Sequence, residues 1–162
     1  MRILALDLST KTGWAHTNGL SGVQDFTPRR GDSPGMRWLE ARAWLNRVLD
    51  SAPADVVVYE QAHHRGGAPT HVAHALIAQA EAVAAERGIQ ITNRHTATIK
   101  KHATGKGNAD KGRMLAAARE KWSDRTIQDD NEADALWLLD LVTRDLNEHG
   151  LGGNLEAASP IG

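Results

Sequence analysis

The sequence predicts a mixed α/β domain, and three observations predict it. Two short apolar runs end on a carboxylate, Ile3-Leu-Ala-Leu-Asp7 and Val56-Val-Val-Tyr-Glu60, which suits strands buried on both faces. Stretches of helical period alternate with them, Trp38 to Leu49 and Val72 to Val83 among others. Near the N-terminus, Asn18-Gly19 marks a tight hairpin because both positions tolerate positive φ. With 162 residues, 41% hydrophobic and 24% charged, the chain is about one domain.

Each element follows from local pattern. Residues 2–6 form a first strand with Asp7 at its end, Trp14 to Thr17 a second, and Leu20 to Thr27 a third that Pro28 closes. Ser33-Pro34 offers a cap and a first-turn proline, so a helix is predicted over 34–51. Asp55 to Tyr59 is a fourth strand with Glu60 at its end. An alanine-rich helix follows over 69–87 and stops at Gly88. Ile89 to Asn93 is the fifth strand, and helices are expected over 96–103, 110–122 and 130–147. The glycine-rich stretch 149–162 reads as a flexible tail, which leaves 1–148 as the folded domain. This order implies a hairpin meander and then helical crossovers: a five-stranded mixed sheet flanked by helices on both faces.

Composition narrows the chemistry. The absence of cysteine excludes disulfides, zinc–thiolate centres and thiol catalysis. The opening Met-Arg-Ile-Leu-Ala-Leu-Asp lacks the apolar core of a signal peptide, and no apolar run approaches the ~20 residues of a membrane span. A cytoplasmic protein with no membrane partner is expected. The net charge of −1 conceals an asymmetry. From Arg94 to Arg125 nine bases face three acids, a local charge of +6, while the remaining ten bases and seventeen acids leave −7. One face for phosphates and another for a carboxylate cluster would produce that split. Thr104-Gly-Lys-Gly-Asn-Ala-Asp-Lys111 lacks the order of a nucleotide-cradling loop and follows no strand, so no nucleotide cofactor is expected.

Asp7 and Glu60 end strands that a right-handed crossover sets side by side, where ligand sites in such sheets collect. A third group comes from Asp129-Asp130-Asn131-Glu132-Ala133-Asp134, in which Asp130 or Asn131 shares a helix face with Asp134. Singly, each acid has a structural explanation; Asp129 and Glu132, for example, form a capping box. Together, acids at the ends of buried strands need a counterion. Oxygen-only donors suit Mg2+ or Mn2+, and two such ions per site can drive phosphodiester hydrolysis.

The sequence resembles the RuvC-type Holliday-junction resolvases of the RNase H-like, or retroviral integrase, superfamily. The resemblance spans roughly residues 2–145. It rests on Ile3-Leu-Ala-Leu-Asp-Leu-Ser-Thr-Lys-Thr-Gly-Trp14, Val58-Tyr-Glu60-Gln61, Thr98-Ile-Lys-Lys-His-Ala-Thr-Gly-Lys-Gly-Asn-Ala-Asp-Lys111 and Asn131-Glu-Ala-Asp-Ala-Leu136. It implies an RNase H-like fold and makes Asp7, Glu60 and Asp134 catalytic metal ligands. The family's fourth ligand, usually Asp or His, falls at Asn131, so either the Asn131 carbonyl ligates or Asp130 swings in. Lys100 and Lys111 would contact phosphate beside the cleavage site, with Lys101 and Lys106 as further DNA-binding candidates. The segment after Glu60, with His63, His64 and Arg65, would reach toward the junction centre.

The resulting expectation is a Mg2+- or Mn2+-dependent, structure-selective endonuclease that hydrolyses four-way DNA junctions with two ions per active site. A homodimer would place one active site on each of two strands, with the 69–87 helix at its interface. The setting would be a bacterial cell or a virus-infected host cell. The alternatives are an RNase H-like nuclease for flaps, forks or RNA, and a branched-DNA-binding module that does not cleave. Sugar kinases and actin-like proteins share the opening strand-turn-strand but need a second domain for which 162 residues leave no room.

Overall fold

The computed structural model describes residues 1–62 and 67–149. The elements run β1 (Ile3–Asp7), β2 (Lys11–His16), β3 (Ser21–Asp25), α1 (Met36–Ser51), β4 (Val56–Glu60), α2 (Ala68–Arg87), β5 (Gln90–Arg94), α3 (Thr96–Thr104), α4 (Lys111–Lys121) and α5 (Asp130–His149). They form one mixed sheet in the order β3-β2-β1-β4-β5. β2 is antiparallel to both β1 and β3, whereas β4 runs parallel to β1 and β5 parallel to β4. Both the order of elements and the mixed sheet agree with the sequence-based expectation.

The sheet is buried on both faces because its strands carry apolar side chains in both directions. Leu4, Leu6, Val57 and Tyr59 join Trp44, Leu45, Leu76 and Val83 in a core under α1 and α2. Ile3, Ala5, Ala15 and Val58 join Met114, Trp137, Leu138 and Leu141 in a second core under α3, α4 and α5. Side chains alternate along a strand, so Asp7 follows Ile3 and Ala5, Glu60 follows Val58, and Gly13 precedes Ala15 on the α5 face. Small residues there let α5 lie close to β1 and β2.

Local details depart from the expectations. β2 starts three residues before the predicted Trp14, because Lys11 and Thr12 already pair with Asp25 and Gln24 of β3. β3 is shorter than predicted: the Asp25 carboxylate accepts from the Thr27 N–H at 2.8 Å and turns the chain. The connection between these strands is not the two-residue turn expected of Asn18-Gly19. Gly19 alone takes positive φ, at 92°, while the His16 N–H reaches across to the Leu20 carbonyl at 2.8 Å. α1 begins at Met36 rather than at Pro34. Ser33 contributes its carbonyl to the Met36 N–H, and the N-cap is Gly35, without a side-chain bond. α5 continues through His149, and the proposed tail beyond it lies outside the described residues.

Candidate active site

The site forms at the C-terminal ends of β1 and β4. Their register pairs Leu6 with Tyr59, so the next residues, Asp7 and Glu60, lie side by side and both face α5. Opposite Asp7 on the other flank stands Gly13. A Cβ on Gly13 would lie 1.8 Å from the Asn131 carbonyl oxygen, so glycine is what allows the first turn of α5 to rest on the sheet. That seating carries Asp134, one turn along α5, to the strand ends.

Hydrogen bonds secure this turn. The Asp129 carboxylate accepts from the Asn131 and Glu132 N–H groups at 2.9 and 3.1 Å. The predicted capping box is only half formed, because Glu132 does not fold back onto Asp129. Its buried carboxylate accepts instead from the Ser21 hydroxyl at 2.6 Å and the Gln128 N–H at 2.8 Å, which ties α5 to β3.

Electrostatics show how tightly the acids are gathered. Burial pushes the Asp7 carboxyl well above its ordinary value although part of its surface reaches solvent, and the charges of Glu60 and Asp134 push it further. Burial, followed by the charge of Glu60, raises Asp134 to about 7. Lys111 opposes both shifts, and Lys100 opposes that of Asp134. Asp130 behaves differently: the Lys111 ammonium donates to it at 2.6 Å and holds its carboxyl below the usual range.

Asp7, Glu60, Asp134 and Asp130 are therefore within electrostatic reach of one another and of Lys100 and Lys111. Asn131 lies over Gly13 with its side-chain amide donating to Asp129 at 3.2 Å. Lys101 and Lys106 are exposed, and neither is among the charges that shift Asp7 or Asp134. His63, His64 and Arg65 lie outside the described residues. Among the described residues no three His, Cys, Asp or Glu side chains close on a single point for an ion. One acid is held aside, Asp130 by its pairing with Lys111, while Glu60 accepts from the Thr96 hydroxyl through one of its two oxygens. The donor chemistry nonetheless fits a hard divalent cation, since buried oxygen ligands of like charge lack enough positive partners.

Sequence reasoning missed three contributors. Gly13 falls just before the predicted second strand but lies inside the observed one, where a glycine is itself a signal of close backbone approach. Glu132 was read only as a cap. Thr96 carried no signal, because its role depends on β4 and β5 being neighbours.

No family model matches the sequence, and no curated protein matches it. Solved structures do match. RuvC of Thermus thermophilus superposes with a TM-score of 0.69 at 18% identity, covering 85% of this chain and 90% of that one. The same organism's RuvC in complex with Holliday junction substrate gives 0.71 at 17% identity, with the same 85% and 90% coverage. The yeast mitochondrial Holliday junction resolvase gives 0.56 at 14% identity, over 84% of this chain and 76% of that one. At such identities the likeness is one of architecture, and the five-stranded mixed sheet with its five helices is the RNase H-like fold of the RuvC-type resolvases.

Proposed function

We propose that this chain is a divalent-metal-dependent endonuclease that hydrolyses phosphodiester bonds in four-way DNA junctions. The observation that carries the reading is the group formed by Asp7, Glu60 and Asp134. It brings carboxylates from β1, β4 and α5 onto one face of the sheet, where burial and mutual repulsion raise Asp7 and Asp134. A metal-free protein gains nothing in stability from such a group, whereas a cation site requires it. The choice of junction DNA draws on the fold shared with RuvC of Thermus thermophilus, one of whose structures holds Holliday junction substrate.

Asp7, Glu60 and Asp134 would hold two Mg2+ or Mn2+ ions, with Asn131 completing the set through its side-chain carbonyl. Bound there, the ions would supply a water activated as nucleophile and stabilise the leaving oxygen. The chain's own residues do the rest. Lys100 and Lys111 bring positive charge to the rim of the acid group and would seat the backbone phosphate on either side of the cut bond. Asp130 keeps Lys111 at that rim through their ion pair. The first turn of α5, locked by Asp129 and Glu132, fixes Asp134 against the strand ends. A homodimer would present two such sites to opposed strands. The outward side of α2, with small or short side chains at Ala78 and Ala85, is the surface proposed for it. No described helix is long and apolar enough to cross a membrane.

The deciding experiment incubates the protein with labelled four-way junction, fork, flap and duplex, with and without Mg2+. Metal-dependent, symmetrical nicking of the junction alone supports the proposal. Preferential cutting of flaps or forks would transfer the chain to the flap-nuclease reading, and tight junction binding without cutting would make it a binding module. The Asp7→Asn, Glu60→Gln and Asp134→Asn variants should each lose cleavage while keeping junction binding.

A further inference from the structure

Outside the three carboxylates, the contact that most constrains the site is made by α3. This helix follows β5 directly, and β5 lies beside β4 with Arg94 opposite Glu60. The Gln61 N–H donates to the Arg94 carbonyl at 2.9 Å, extending the pairing beyond Glu60. The chain then turns at His95 into α3, so the first residue of the helix, Thr96, comes up against the end of β4. There its hydroxyl donates to one carboxylate oxygen of Glu60. Lys100, one helical turn on, lies on the same face of α3 and bears on Asp134.

We propose that Thr96 is the positioning residue of Glu60, holding one carboxylate oxygen through its hydroxyl so that the other is presented to the acid group as a cation ligand. This rests on the reading of Asp7, Glu60 and Asp134 as a cation site. The contrast with Asp130 carries the argument. Asp130 is held by an ammonium, which neutralises it and spends it as a ligand. Glu60 is held by a neutral donor, which fixes its orientation and leaves its charge intact. A glutamate side chain has three rotatable bonds, and ordering it at the moment of binding lowers affinity. The hydroxyl removes part of that cost beforehand, as outer partners of metal ligands commonly do. Thr96 does not touch substrate or the reacting atoms in this account. It acts through Glu60.

The test is calorimetric titration of the DNA-free protein with Mn2+, which needs no turnover. Thr96→Val keeps shape and removes the donor, and it should weaken Mn2+ binding about tenfold, the lower end for loss of an outer-shell partner. Thr96→Ser should bind as the wild type does. Glu60→Gln should lose more than Thr96→Val, and adding Thr96→Val to Glu60→Gln should cost nothing further. Should Thr96→Val not fold, as judged by circular dichroism, Thr96→Ala makes the same comparison. Wild-type affinity in the hydroxyl-free variant, or an equal loss in the Glu60→Gln background, would overturn the assignment while leaving the cation site standing. Absence of Mn2+ binding by the wild type would overturn the cation site and this assignment with it.

Discussion

Gly13 and Asn131 are in backbone contact across the boundary between sheet and helix: a single added methyl on Gly13 would overlap the Asn131 carbonyl, at 1.8 Å. Gly13 is also the strand partner of Asp7. The seating of α5 and the placing of the acids are therefore one geometric fact. Gly13→Ala must displace the first turn of α5. A loss of about 3 kcal/mol is expected, the upper end for overpacking, because backbone rather than a flexible side chain is the obstacle. Urea unfolding measures the loss, and Mn2+ affinity and junction cleavage should fall with it.

The acid group makes the metal-free protein less stable as pH rises. Asp134 titrates at about 7 in the folded chain against an ordinary 3.8, so between those values the native state holds more protons than the unfolded one. Stability then falls as pH climbs through this window, and Asp7, shifted in the same direction, steepens the fall. Asp134→Asn should flatten the profile and stabilise the protein at pH 8 by at most about 4 kcal/mol, at ~1.4 kcal/mol per pH unit of displacement. Cleavage should be lost in the same variant. Thermal melts between pH 4 and 8 with a chelator present check this, and adding Mg2+ at pH 8 should raise the melting temperature of the wild type but not of the variant.

The two candidates for the fourth ligand are separable. Asp130 is committed to Lys111 at 2.6 Å, whereas Asn131 sits over Gly13 at the level of Asp7. Asn131→Ala should weaken Mn2+ binding by about an order of magnitude, and Asp130→Ala by much less. Calorimetry on the two variants decides, and the opposite ranking would show that Asp130 leaves Lys111 to bind the ion.

Lys100 and Lys111 should both contribute to the salt dependence of junction binding, but unequally. A lysine that neutralises one duplex phosphate contributes about 0.9 to the slope of log affinity against log salt. Lys100→Ala should lower the slope by nearly that amount. Lys111 already shares its charge with Asp130, so Lys111→Ala should lower it by less. Fluorescence anisotropy in the Asp7→Asn background, where the junction stays intact, measures both slopes. Unchanged slopes in both variants would return the basic segment to a solvated surface.

Elements and acids were legible in the sequence for a common reason: strand parity and helical period are local. Ile3-Leu-Ala-Leu-Asp7 announces both a buried strand and an acid at its end. What stayed hidden was decided by residues distant in the chain. The Thr96 contact with Glu60 exists only because β4 and β5 are neighbours. Glu132 looked like one half of a cap because its partner on β3, Ser21, lies more than a hundred positions away. The hairpin went wrong for a local reason: Gly19 adopts positive φ and Asn18 does not, so the loop is longer than the dipeptide suggested.

The position of α5 also bears on synthesis. Asp7 precedes Asp134 in the order of synthesis by more than a hundred residues, yet their charges act on each other in the folded chain. Until α5 emerges, a growing chain that has already paired β1 to β5 carries Ile3, Ala5, Ala15 and Val58 on an uncovered face. Such an intermediate is sticky and incomplete, because the long-range closure comes after the local pairing. The order of translation thus delays assembly of the acid group until α5 docks, and a ribosome-bound chain stopped before residue 130 should attract chaperones while its acid group is still without Asp134.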